Sequence, residues 1–164
     1  MSAFTPQMQA ALGERIVTIF GAVEMLLPEH ELRLLSSAGA VSFGGHRFVG
    51  RDPTFGAIDS IDVLDDGVGD EAPEITITLN PAGDAAATTL SSPAMQGALT
   101  SFWIGAVDPL SGAVIPDPLN VFLGTVDVPT IRSSAEGRKL ELSVVSAFEE
   151  FFMDDEGARL SDTF

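Results

Sequence analysis

The sequence has no cysteine and no tyrosine, a single tryptophan, and only 8 lysines and arginines against 24 aspartates and glutamates. Without thiols there can be no disulfide, thiolate metal site, iron–sulfur ligation or cysteine nucleophile. The shortage of cations leaves a formal net charge of −16. Such a chain repels phosphates and anionic lipid heads, which argues against a nucleic-acid groove. The acid can instead bind cations, face a basic partner or keep an apolar chain soluble, and the last use is the commonest. No run of about 18 apolar residues occurs, so no membrane span is expected. The first residues lack a basic stretch followed by an apolar one, so no secretory signal is expected either.

What is present is enough apolar material for a sizeable core, 45% of 164 residues, and one compact domain is the expectation. The organising stretch runs from Asn120 to Phe148. Val121, Leu123 and Thr125 alternate with Phe122, Gly124 and Val126, and Leu140, Leu142 and Val144 alternate with Glu141, Ser143 and Val145. A period of two predicts two strands, and the polar Ser133–Gly137 segment between them suits a longer hairpin loop.

Before this hairpin, Thr5 and Pro6 read as the N-cap and first position of a short helix that Gly13 ends. The run Ile16–Leu27, rich in β-branched residues, reads as a strand, with a helix continuing through it as the alternative, and Pro28-Glu29-His30 breaks it. Glu31–Ser36 is a further strand. Val41-Ser42-Phe43, Gly44-Gly45 and His46–Gly50 form a small hairpin, followed by strands over Ala57–Leu64, Ile75–Leu79 and Leu99–Val107. A helix is expected from Ser91 or Ser92, with Pro93 in its first turn. Residues 65–74 form an acidic, Gly-containing loop, and the chain ends in an acidic tail. The class is all-β, or β-dominated. The expected division is an N-terminal helical arm over 1–15, a β-domain over 16–150 and an acidic C-terminal arm over 151–164.

Reactive constellations are scarce. Asp59, Asp62, Asp65, Asp66, Asp70 and Glu71 could offer oxygens to a hard cation, but the EF-hand pattern fails at Leu64. A solvated acidic loop is the simpler reading. His30 and His46 have no HExxH or HxH company, and a half-exposed strand position accounts for His46. No G-x-S-x-G elbow occurs, and Gly44-Gly45 and Gly67-Val68-Gly69 are turns rather than phosphate loops. Glu149-Glu150 could pair as in glycosidases, yet the chain is poorly supplied with aromatic platforms for a sugar. No cofactor, metal site or catalytic residue is expected, and the protein does not read as an enzyme.

The order of motifs resembles tail proteins of long-tailed phages. Leu32-Arg33-Leu34-Leu35-Ser36-Ser37-Ala38-Gly39 precedes the Val41–Gly50 hairpin, as an L-R-L-x-S-x-x-G strand precedes a hairpin in that family. Ile75–Leu79 and Phe102–Asp108 match its next strands, Val121–Asp127 its V-F-x-G-x-V-D strand, and Gly137–Ser146 its following arm. The resemblance covers roughly Thr5 to Asp162, and members carry further residues after the element matched by Arg159-Leu160-Ser161-Asp162. It implies a virion structural protein at the tail tip or baseplate hub, with a tail-tube-like β-sandwich or split β-barrel fold. It implies assembly as a ring or trimer around the tail axis, in contact with neighbouring tail proteins. A negative lumen would let DNA pass without sticking. On this reading Ile16–Leu27 is an exposed edge that pairs with a neighbouring subunit. Asp65, Asp66, Asp70 and Glu71 of the loop, with Phe151 and Phe152 of the arm, are the expected partner contacts. The competing expectation is a calcium- or carbohydrate-binding β-sandwich of the receptor-binding kind.

Overall fold

The first element is the capped helix the sequence predicts. In the computed structural model, which describes residues 4–64, 74–134 and 137–146, helix α1 spans Pro6–Leu12. The Thr5 hydroxyl accepts the Met8 N–H at 3.3 Å, Pro6 opens the first turn, and Gly13 closes the last one. Met8 is the buried residue of α1, which lies against the seventh strand described below.

Strand β1 (Thr18–Leu27) turns through Pro28-Glu29 into β2 (His30–Leu35). A short hairpin follows, β3 (Ala40–Phe43) and β4 (His46–Val49). Gly44 and Gly45 both take positive φ there, 59° and 81°, as the hairpin turn of matching twist requires. Strands β5 (Ala57–Leu64) and β6 (Glu74–Asn80) pair with a bulge at Asp59. Helix α2 (Asp84–Leu90) comes next, then a 3-10 turn over Pro93–Met95. Strand β7 (Leu99–Val107) leads by an irregular link to the long hairpin of β8 (Leu119–Ser134) and β9 (Gly137–Ser146).

The nine strands form one mixed sheet in the order β3-β4-β2-β1-β7-β8-β9-β6-β5. Every pairing is antiparallel except a single parallel bridge between Leu34 of β2 and Val49 of β4. The sheet curls on itself. Val23 and Met25 of β1 and Leu32 and Leu34 of β2 share one core with Ile77 and Leu79 of β6 and Leu140, Leu142 and Val144 of β9. These strands lie far apart in the sheet order, and β5 comes back beside β2. Among the described residues, strands β3 and β5 end the order without pairing to each other, so the barrel they form is open. Ala86 and Leu90 of α2 and Met95 of the 3-10 turn also enter the inner core.

Two expectations need correction. Strand β1 is not an edge: β2 pairs with it over Ala22–Leu27 and β7 over Thr18–Leu26. Phe20, Ala22, Val23, Met25 and Leu27 are apolar because they are buried on one face or the other of the paired strand, while Ile19 and Leu26 stay exposed. The helix expected from Ser91 or Ser92 lies earlier, over Asp84–Leu90, where Ala85-Ala86-Ala87 supply strong helix formers. Ser92 does act as an N-cap, accepting the Ala94 N–H at 3.3 Å, but it caps only the 3-10 turn.

In β8 the buried phase is Gly124 and Val126, with Phe122 packed against the core, while Val121 and Leu123 face outward. A Cβ on Gly124 would meet the Val145 carbonyl oxygen at 2.1 Å, backbone that cannot swing aside. Gly124→Ala should therefore cost about 1–3 kcal/mol of stability, read by urea denaturation. Leu142 is 2% exposed, so Leu142→Asp should abolish the cooperative thermal transition by burying an unpaired charge, and Phe122→Asp should do the same. A folded Leu142→Asp protein would overturn the core assignment.

Candidate functional site

The outer face of β1 and β7 carries a second apolar cluster, formed by Phe20, Ala22, Leu35 and Phe48, with Val41, Phe43, Trp103, Val107 and Val114 packed against it. Its construction follows from register. Ala22 lies opposite Trp103, and Phe20 lies opposite Gly105. Where a larger residue at 105 would strike the Phe20 ring, with Cζ 2.4 Å from a Cβ, glycine lets that ring lie across β7. The β3–β4 hairpin then folds its aromatics onto this floor. Phe43 and Phe48 stack with centroids 4.4 Å apart and planes 4° apart. Trp103 stands edge-on to both, at 6.0 and 5.8 Å, geometries that the ring quadrupole favours.

The far wall is the link after β7. Val114 bridges to Val107, and the Ile115 N–H donates to the Ala106 carbonyl at 2.8 Å. Asp117, with φ 62°, is the one non-glycine residue at positive φ among the described residues. Hairpin, strand and link enclose a groove of about 600 Å³ lined by Phe43, Phe48, Trp103, Val114, Pro116 and Pro118, with Glu24, His46 and Asp117 among its polar groups. That size suits a ligand or an inserted side chain. On the floor side, Glu24 accepts Arg33 Nε at 2.5 Å, and Arg33 also pairs with Glu31. Among the described residues, no lysine or arginine lines the groove itself.

A second, apolar cleft of about 590 Å³ lies between the end of α1, Ile16, Val17 and the Pro109-Leu110 tip of the link. Leu110 is 97% exposed and Ile16 70%. The tip is held by Asp108, whose carboxylate accepts the Leu110 N–H at 2.8 Å and the Ser111 N–H at 3.4 Å. These bonds, the one from Leu110 first, hold the Asp108 carboxyl below the usual carboxylate range.

The partner contacts expected from the sequence, Asp65, Asp66, Asp70, Glu71, Phe151 and Phe152, lie outside the described residues, as do Glu149 and Glu150. Asp59 and Asp62 are on β5. Among the described residues, no group of three or more His, Asp or Glu side chains is placed to hold a metal ion. His30 lies 3.6 Å from Asp52 with its ring against Phe55, and His46 sits apart from it at the rim of the aromatic groove. Sequence reasoning missed that groove. The available signal was the spacing of Phe43 and Phe48 about a Gly-Gly turn, but nothing local pairs them with Trp103.

The fold is thus a β-dominated open barrel with an aromatic groove on its outer face. No protein-family model matches the sequence, and no curated protein matches it. Among solved structures, a chain of the virion of a native gene transfer agent (GTA) particle has a similar fold, with a TM-score of 0.61 at 16% identity. The likeness covers 95% of this chain and 49% of that one, so this chain spans about half the length of its structural neighbour.

Asp59 ties the terminal strand β5 to its neighbours. It accepts Lys139 Nζ of β9 at 2.7 Å and Asn80 Nδ2 of β6 at 2.9 Å, and these bonds, Lys139's first, lower its pKa. A lowered carboxyl stabilises the folded state above its unfolded pKa, and that contribution is lost as pH falls through the folded value. Wild type should exceed Asp59→Asn in stability at neutral pH, and the gap should close through and below the normal carboxylate range. Urea denaturation along a pH series reads the gap, and one that stays constant into acid would refute the linkage.

Proposed function

We propose that this protein is a structural component of a phage-like particle, placed at the distal end of the tail, in the tip or baseplate hub, and acting by assembly rather than catalysis. The observation that carries the reading is the fold likeness to a virion chain over 95% of this chain. The ordered tail-protein motifs from Leu32 to Ser146 support it independently of the fold. So does the outer surface. Leu26 and Leu99 face each other across β1 and β7, and Leu123 continues the same face onto β8 opposite Ser101. Each is 40–42% exposed. Contiguous apolar surface of this kind marks a contact with other chains. Copies of the protein associate around the tail axis, and residues 65–71 and 151–152 contribute further contacts to adjoining tail proteins.

Antibody raised to the protein and coupled to gold should decorate one end of the tail in intact particles from the source lysate. Label on the capsid would place the protein elsewhere in the particle, and no label on intact or disrupted particles would remove the virion reading. Leu123→Lys should leave the melting temperature within a few degrees, because the side chain already meets solvent, and should reduce self-association in sedimentation runs and incorporation into particles. Unchanged association would take that face out of the interface.

A further inference from the structure

The aromatic groove has a composition that the assembly reading does not use. Its walls are Phe43 and Trp103, with Phe48 only 1% exposed behind the Phe43 ring, and its carboxylates are Glu24 and Asp117. Aromatic faces and carboxylates attract the same class of ligand, a cation, and do so more strongly where water is partly excluded. Glu24 already gives one oxygen to Arg33. Asp117 takes part in none of the ion pairs among the described residues, and it is held over the groove in a backbone conformation that non-glycine residues seldom adopt. Strain kept at a residue facing a cavity points to use.

The groove is also larger than one cation needs. Strand β3, which supplies Ser42 and Phe43 to its wall, ends the sheet order, with one side unpaired by any other strand among the described residues. An extended chain laid along β3 would gain backbone hydrogen bonds and could lay a side chain against the exposed parts of Phe43 and Trp103, beside Asp117. A guanidinium fits this better than an ammonium, because it is planar, stacks on aromatic faces and pairs with a carboxylate through a fork of donors.

We infer that the groove between β3–β4, Trp103 and Asp117 is a receptor for an arginine side chain presented by an extended segment of a partner polypeptide.

Trp103 is the single tryptophan of the chain, so intrinsic fluorescence reports on this groove alone. Titration of the full-length protein with the peptide acetyl-Gly-Arg-Gly-amide should give saturable quenching, half-complete in the millimolar range. The same peptide with citrulline, which is neutral and nearly isosteric, should give none. Asp117→Asn keeps a residue that tolerates positive φ, so the protein should melt as wild type does while binding the arginine peptide about fivefold more weakly, as expected for loss of one charge-assisted contact. Phe43→Leu should weaken binding to a similar extent. Equal quenching by the citrulline peptide, or unchanged affinity in both variants, would overturn the inference. Equal quenching by tetramethylammonium would overturn it in favour of a small free cation.

Discussion

Val23, Met25 and Leu27 of β1 enter the inner core, while Phe20 and Ala22, one residue out of phase, enter the cluster on the opposite face. A strand buried on both sides must lie inside the sheet, and its two edges must both be paired. That constraint sets the rest of the architecture. One face forces the sheet to curl until β6 and β9 close over β1 and β2. The other face needs its own cover, which the β3–β4 hairpin and the 108–118 link provide. The aromatic groove is the seam between those two covers.

The scarcity of cations shapes how the surface is tied together. Among the described residues, Arg33, Arg132, Arg138 and Lys139 are each engaged by a carboxylate. Most of these pairs are solvent-exposed and contribute little each to stability, so burial of apolar surface must supply most of the driving force. Their placement is more informative than their strength. Lys139 reaches across β6 to β5, Arg138 reaches α2, and Arg33 bridges β1 and its own strand. The remaining acid confers solubility on a chain with leucine, isoleucine and valine side chains left on its surface.

The assembly reading and the groove reading draw on neighbouring parts of one sheet face, since Leu26 and Leu99 share the face of β1 and β7 that carries Glu24 and Trp103 of the groove. The first rests on fold and on the apolar row Leu26, Leu99 and Leu123. The second rests on side chains that the fold likeness does not address. A tail protein that joins others by broad apolar contact could also take hold of a partner at one defined point, and the edge position of β3 leaves that point accessible.

Much of this structure was legible in the chain itself. Thr5-Pro6 and Gly13 bound α1, Gly44-Gly45 makes the turn between β3 and β4, and period-two patterns mark β8 and β9 because local sterics and the pleat act over a few residues. The β-dominated class follows from the same signals. Three features were decided only by tertiary structure. The run Ile16–Leu27 looks alike as an uncovered edge or a doubly buried centre, since either would be rich in apolar residues, and only its pairing with β2 and β7 separates them. Ala85-Ala86-Ala87 becomes α2 because Ala86, Ala87 and Leu90 find a buried side to pack on, and helices this short are not stable by propensity alone. Phe43, Phe48 and Trp103 meet only because the β3–β4 hairpin, three strands from β7 in the sheet order, folds its aromatics over the outer face of β1 and β7, a neighbourhood that no local spacing encodes.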